Sequence, residues 1–173
     1  MPNKNGTLQA REFIFYCEDQ ALAALPQDFP RPQRKVMWTI LQLHYGHPAV
    51  HFEIQPHLGR GQVELGLHFE AAAELNEAWA FQLTLHAVEL MAALGPAWEL
   101  EEWTASWRRL HRVYTFERLT ADLGREVGAE LAKAMLVLQP YAASCAEGYV
   151  APAPIARPAH AQRDWRHKKK VVR

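Results

Sequence analysis

His51-Phe52-Glu53-Ile54-Gln55-Pro56-His57, then Leu58-Gly59-Arg60-Gly61, then Gln62-Val63-Glu64-Leu65-Gly66-Leu67-His68-Phe69-Glu70 is the stretch whose reading decides the fold. Side chains alternate across a strand, so each arm sorts its residues onto two faces. Phe52, Ile54, Val63, Leu65, Leu67 and Phe69 share one face; His51, Glu53, Gln55, His57, Gln62, Glu64, His68 and Glu70 share the other. Two glycines in the connection supply the backbone angles of a tight turn. The stretch therefore reads as a β-hairpin with an apolar face that needs cover and a polar face available for chemistry.

Centring the turn on Gly59 to Gly61 sets His57 against Gln62, Glu53 against Gly66 and His51 against His68. Facing β-carbons lie about 5 Å apart and diagonal ones about 7–8 Å. His51, Glu53, His68 and Glu70 then form one group. Two imidazoles and a carboxylate at that spacing can hold zinc, iron or manganese, or supply a general acid and base near neutral pH. The plainer reading is the wet face of an antiparallel sheet carrying His/Glu pairs. On that reading no cofactor is expected, and a divalent metal enters only as the alternative. The chain contains no HExxH, phosphate-binding loop, dinucleotide fingerprint or nucleophile elbow.

Working outward, Leu8 to Leu25 has helical apolar spacing and stops at Pro26. Pro32 to Tyr45 carries signals for both helix and strand. Pro32 in a first turn, Gly46 beyond the end and the stripe Val36, Met37, Ile40, Leu41 and His44 favour a helix. Ala71 to Leu94 reads as one long helix ended by Gly95-Pro96. Trp98 to Trp103 and Trp107 to Tyr114 read as two further strands or one bent strand. Glu117 to Gln139 reads as the last helix, with Gly124 and Gly128 placed for close packing. The expected architecture is α+β: an antiparallel sheet of three or four strands, one apolar face covered by three or four helices.

The net charge of zero hides an uneven distribution. Residues 1–147 hold twelve Lys or Arg against eighteen Asp or Glu, and residues 148–173 hold seven against one. The expected organisation is one α+β domain over 1–147 and an Ala/Pro-rich, then basic, tail over 148–173 that stays flexible unless a partner orders it. Cys17 and Cys145 are too few and too far apart for a disulfide framework, which fits reduced thiols and a cytoplasmic setting. No apolar run approaches the roughly 20 residues of a membrane span.

Two further clusters are candidate contact surfaces for nucleic acid or a protein partner. Trp103, Trp107, Arg109 and Arg112 interleave aromatic and basic groups, a pattern that serves base stacking and protein interfaces alike. Glu99, Glu101 and Glu102 beside them oppose a phosphate ligand. Arg163, Arg166, Lys168, Lys169 and Lys170 can neutralise phosphates in a salt-dependent, sequence-independent way. The sequence thus favours a non-catalytic interaction or adaptor protein, a homodimer through exposed strand edges and tryptophans, acting near nucleic acid through its tail. A metal-dependent hydrolase using the polar hairpin face is the alternative, and a small-molecule sensor the second.

Overall fold

The computed structural model describes residues 6–146. The elements are α1 (Ala10–Ala24), β1 (Gln33–Met37), β2 (Ile40–His44), β3 (Val50–His57), β4 (Gln62–Phe69), α2 (Ala73–Thr84), α3 (Ala87–Leu94), β5 (Glu99–Glu102), β6 (Arg108–Thr115) and α4 (Ala121–Ala146). They build an α+β fold on a single antiparallel sheet of six strands, ordered β1-β2-β3-β4-β6-β5. The expectation of three or four strands is corrected: the segment read as a helix over 32–45 is the β1–β2 hairpin.

The reason is local. Leu41 and Leu43 alternate with Gln42 and His44, and β3 offers a partner along the whole run from Leu41↔Ile54 to His44↔His51. Tertiary pairing of this kind overrides a weak helical stripe. The turn between β1 and β2 is Trp38-Thr39, and Trp38 adopts φ 55°. A bulky side chain in that left-handed region is a poor turn signal, which is why the sequence concealed the hairpin.

The β3–β4 register matches the alternation: His51 faces His68, Glu53 faces Gly66 and His57 faces Gln62. Phe52, Ile54, Leu65 and Leu67 are buried. Pro56 is tolerated in this central strand because β2 pairs with β3 only as far as Ile54, so its missing N–H breaks no β2–β3 bond.

α1 and α4 pack together and onto the apolar face. Phe13, Ile14, Leu131, Met135 and Leu138 fill the core against Phe52, Ile54, Leu65 and Leu67. Each such side chain contributes about 1.5–3 kcal/mol on burial. The two helices approach closely at Gly128, where an added Cβ would stand 2.7 Å from the Cys17 carbonyl oxygen. The expected single helix over 71–94 is two. The Thr84 hydroxyl donates to the Phe81 carbonyl at 2.7 Å, and the chain bends at Leu85–His86 before α3 begins. α4 starts directly after Thr120, whose hydroxyl accepts the Leu123 N–H, and runs through Pro140, beyond its expected end at Gln139.

Candidate metal centre

β3 and β4 lie side by side in the middle of the sheet, so the four candidate ligands meet on the face turned away from α1 and α4. His51 and His68 are 1% and 0% exposed, and their rings stack with centroids 5.6 Å apart. Glu53 lies one step along β3, and Glu70 one step beyond His68 at the other end. The antiparallel pair thus has a local two-fold relation: His51-x-Glu53 on one strand answers His68-x-Glu70 on the other. One ligating atom from each of the four residues falls within 4.8 Å of all the others. The expectation that no cofactor is called for is overturned by this convergence.

The tautomer of His51 follows from its partners. Its Nδ1 lies 2.9 Å from the Pro48 carbonyl oxygen, which can only accept, so Nδ1 carries the proton. Nε2 therefore presents a lone pair toward the cluster, 3.3 Å from Glu53 Oε2 and 3.8 Å from Glu70 Oε1. A histidine that donates its far nitrogen to a backbone carbonyl is oriented as metal-bound histidines are. Gln42 completes this side: its amide nitrogen donates to Glu53 Oε2 at 2.8 Å and, at 3.0 Å, to the His51 Nε2 lone pair, a bond that an ion at Nε2 would displace.

His68 presents Nδ1 to Glu70 Oε1 at 3.6 Å and Nε2 to Glu64 Oε1 at 3.1 Å. Neither ring nitrogen is aligned for a hydrogen bond, although both are buried. Buried polar atoms are normally bonded, and those that are not call for an explanation. A tetrahedral ion with bonds of about 2.1 Å has donors about 3.4 Å apart. The observed separations of 3.3, 3.6 and 3.8 Å lie close to that edge. The donor set and its spacing fit a first-row divalent ion.

The electrostatics favour bound positive charge. Burial alone would raise the Glu53 pKa, but its contact with His51, the charge of His68 and the Gln42 hydrogen bond hold it below the usual carboxylate range. Burial likewise works to raise Glu64, yet His68 and Arg109 hold it down to about 2. Burial works to lower His68, and Glu64, Glu70 and Glu53 together push it up to about 9. Without metal the cluster therefore stabilises an imidazolium in its centre.

Around this group lies a second layer. Arg109 donates to Glu64 Oε2 at 2.6 Å and pairs with Glu101. Its guanidinium sits 5.2 Å above the Trp103 ring, which meets His68 edge-on at 5.2 Å; Trp107 packs against Trp103 at 5.5 Å. His111 approaches Glu101 Oε1 at 3.1 Å, its pKa lowered by burial and by Arg109. Glu70 is the one member of the ligand group with appreciable side-chain exposure, so the site opens on its side.

The sequence-derived clusters separate as follows. Trp103, Trp107 and Arg109 come together with the His/Glu group. Arg112 does not: it points from the opposite face of β6, where it pairs with Glu130 at 3.1 Å and covers the Tyr114 ring at 4.2 Å. Arg163, Arg166, Lys168, Lys169 and Lys170, with the proposed tail, lie outside the described residues. Gln42 and the supporting role of Glu64 were missed. Gln42 was hidden by the helical reading of 32–45, whereas the repeated His-x-Glu on two facing strands was a signal available in the sequence. Among the described residues no helix is long and apolar enough to cross a membrane. No family model matches the chain, and neither the curated proteins nor the solved structures yield a match.

Proposed function

We propose that this chain is a metal-dependent hydrolase whose ion is held by His51, His68 and Glu53, with Glu70 at the open position. The observation that carries the reading is the convergence of four ligating atoms from two buried imidazoles and two carboxylates. Three protein ligands and an accessible fourth position distinguish catalytic from structural zinc-type sites. Glu70 supports the division of roles, because it is the more exposed carboxylate and stands within 3.8 Å of both imidazoles. A divalent ion at this point would supply Lewis acidity and an acidified water. Glu70 is placed to accept that water's proton, while Gln42 and the Pro48 carbonyl hold the ligands in position. The absence of cysteine donors and the mixed imidazole/carboxylate set favour zinc, iron or manganese.

The test is elemental analysis of the purified full chain, followed by titration with zinc, manganese and ferrous iron and assay on a panel of simple esters and phosphoesters. His51→Ala and His68→Ala abolish metal binding. Glu70→Gln retains the metal and loses turnover. A wild-type chain that takes up none of the three ions would sink the proposal. The competing interaction-protein reading rests on the basic tail, outside the described residues, and on Trp103 and Trp107, which lie against the metal cluster.

A further inference from the structure

The other side of the molecule carries a surface that the metal site does not use. Phe81, Leu85, Val88 and Met91 stand out from α2 and α3, with Val88 80% and Phe81 59% exposed. Beside them Leu83, Ala87, Leu94, Trp98 and Leu110 line a cavity of about 240 Å³ between the helices and β5–β6. α3 has one charged residue, Glu89, and buries only Leu90 and Leu94. A contiguous apolar surface of this kind marks a binding face.

Two observations identify what covers it. The first is where α4 leaves the domain. Lys133 Nζ donates to the Leu94 carbonyl at 3.0 Å, and Tyr141 packs on His86 with ring centroids 5.3 Å apart. α4 therefore runs antiparallel along α3 and passes the α2–α3 corner, where the groove begins. From Tyr141 to the helix end at Ala146 is about 7.5 Å of helix. The next apolar run in the chain is Tyr149-Val150-Ala151-Pro152-Ala153-Pro154-Ile155. Extended, those residues reach about 23 Å, against about 12 Å for the length of α3.

The second observation is charge. Gly61 to Trp107 contain no Lys or Arg. Glu89, on α3 itself, is exposed and forms no ion pair among the described residues. The chain after Ile155 holds Arg157, Arg163, Arg166, Lys168, Lys169, Lys170 and Arg173. An apolar run followed by a basic run thus matches an apolar groove whose helix carries an unpaired acid and no base.

We propose that residues 149–155 occupy the α2–α3 groove of their own chain, with the basic run beyond them drawn toward Glu89. Hydroxyl-radical footprinting of the full chain tests this by labelling Phe81 and Met91. In the wild type both label weakly, to the same degree at low and high protein concentration. Val150→Asp with Ile155→Asp raises their labelling several-fold. Replacing Lys168, Lys169 and Lys170 by Glu raises it as well, and added salt has the same effect. Equal labelling of wild type and the double variant overturns the proposal. Protection that grows with concentration overturns it too, by assigning the groove to a second copy.

Discussion

At Gly66 a hydrogen is all that fits. A Cβ there would stand 2.7 Å from the His111 Cβ and 3.0 Å from the Leu110 carbonyl oxygen. The missing side chain also leaves room at the centre of the polar face for Glu53 across from it and for His68 two residues on. Gly66→Ala forces β4 and β6 apart and is expected to cost about 1–3 kcal/mol. For a domain of this size that lowers the melting temperature by about 2–4 °C per kcal/mol, measurable by calorimetry. Gln42 acts at the same scale through Glu53 and His51. Gln42→Leu keeps the ligands but frees Glu53, and is expected to weaken metal binding by about 10–100-fold in a competition titration. An unchanged affinity would show that Gln42 does not position the site.

Between elements, contact is controlled by what is small and what is charged. Gly128→Ala in an ordinary exposed helix would gain about 1 kcal/mol of propensity. Here the new methyl meets the Cys17 carbonyl oxygen and the Gln20 Cβ, each at 2.7 Å. The overpacking term of about 1–3 kcal/mol wins, so the variant is expected to unfold at lower denaturant concentration. Glu130 ties α4 to the sheet, accepting from Trp98 Nε1 at 2.7 Å and pairing with Arg112 and Lys133. Burial works to raise its pKa; Lys133, Trp98 and Arg112 overcome this and hold it below the ordinary value. A carboxylate depressed in the folded state stabilises above its unfolded pKa of about 4.3 and loses that stabilisation as the pH falls through its folded value. Glu130→Gln should flatten the acid limb of the stability profile in that window; an unaltered limb would refute the assignment. The β3–β4 pair was legible because strict alternation and a two-glycine turn agree. The β1–β2 pair was not, because its strands are short and a tryptophan occupies the left-handed turn position. The break between α2 and α3 was equally hidden, since Thr84 breaks the helix through a hydroxyl bond rather than through Gly or Pro.

The molecule as a whole covers the apolar face of its sheet with α1 and α4 and gathers the His/Glu cluster over the central strands on the other. A ligand that binds only the folded state stabilises it by mass action, by about 2.7 kcal/mol at one hundred times its dissociation constant. Zinc or manganese should therefore raise the melting temperature of the wild type and leave His68→Ala unmoved; equal shifts in both would place the ion elsewhere. The α+β class, the hairpin register and the grouping of His51, Glu53, His68 and Glu70 were legible in the sequence. The burial of His51 and His68 was not, because it comes from Glu64 packing with Gln42, Trp103 and Arg109, which other parts of the chain supply.

The turn from Leu58 to Gly61, with Gly61 at φ 60°, touches none of the ligands. It lies about 20 Å along the strands from the facing histidines, yet together with the alternation of the two arms it sets which residue of one arm stands opposite which residue of the other. A slip of one residue in that register would send His68 and Glu70 into the hydrocarbon side of the sheet. A slip of two would keep them outward but slide them about 7 Å past His51. The meeting of the four candidate ligands thus depends on a register anchored at a distance, and a variant that shifted it would scatter the cluster while keeping every one of its residues.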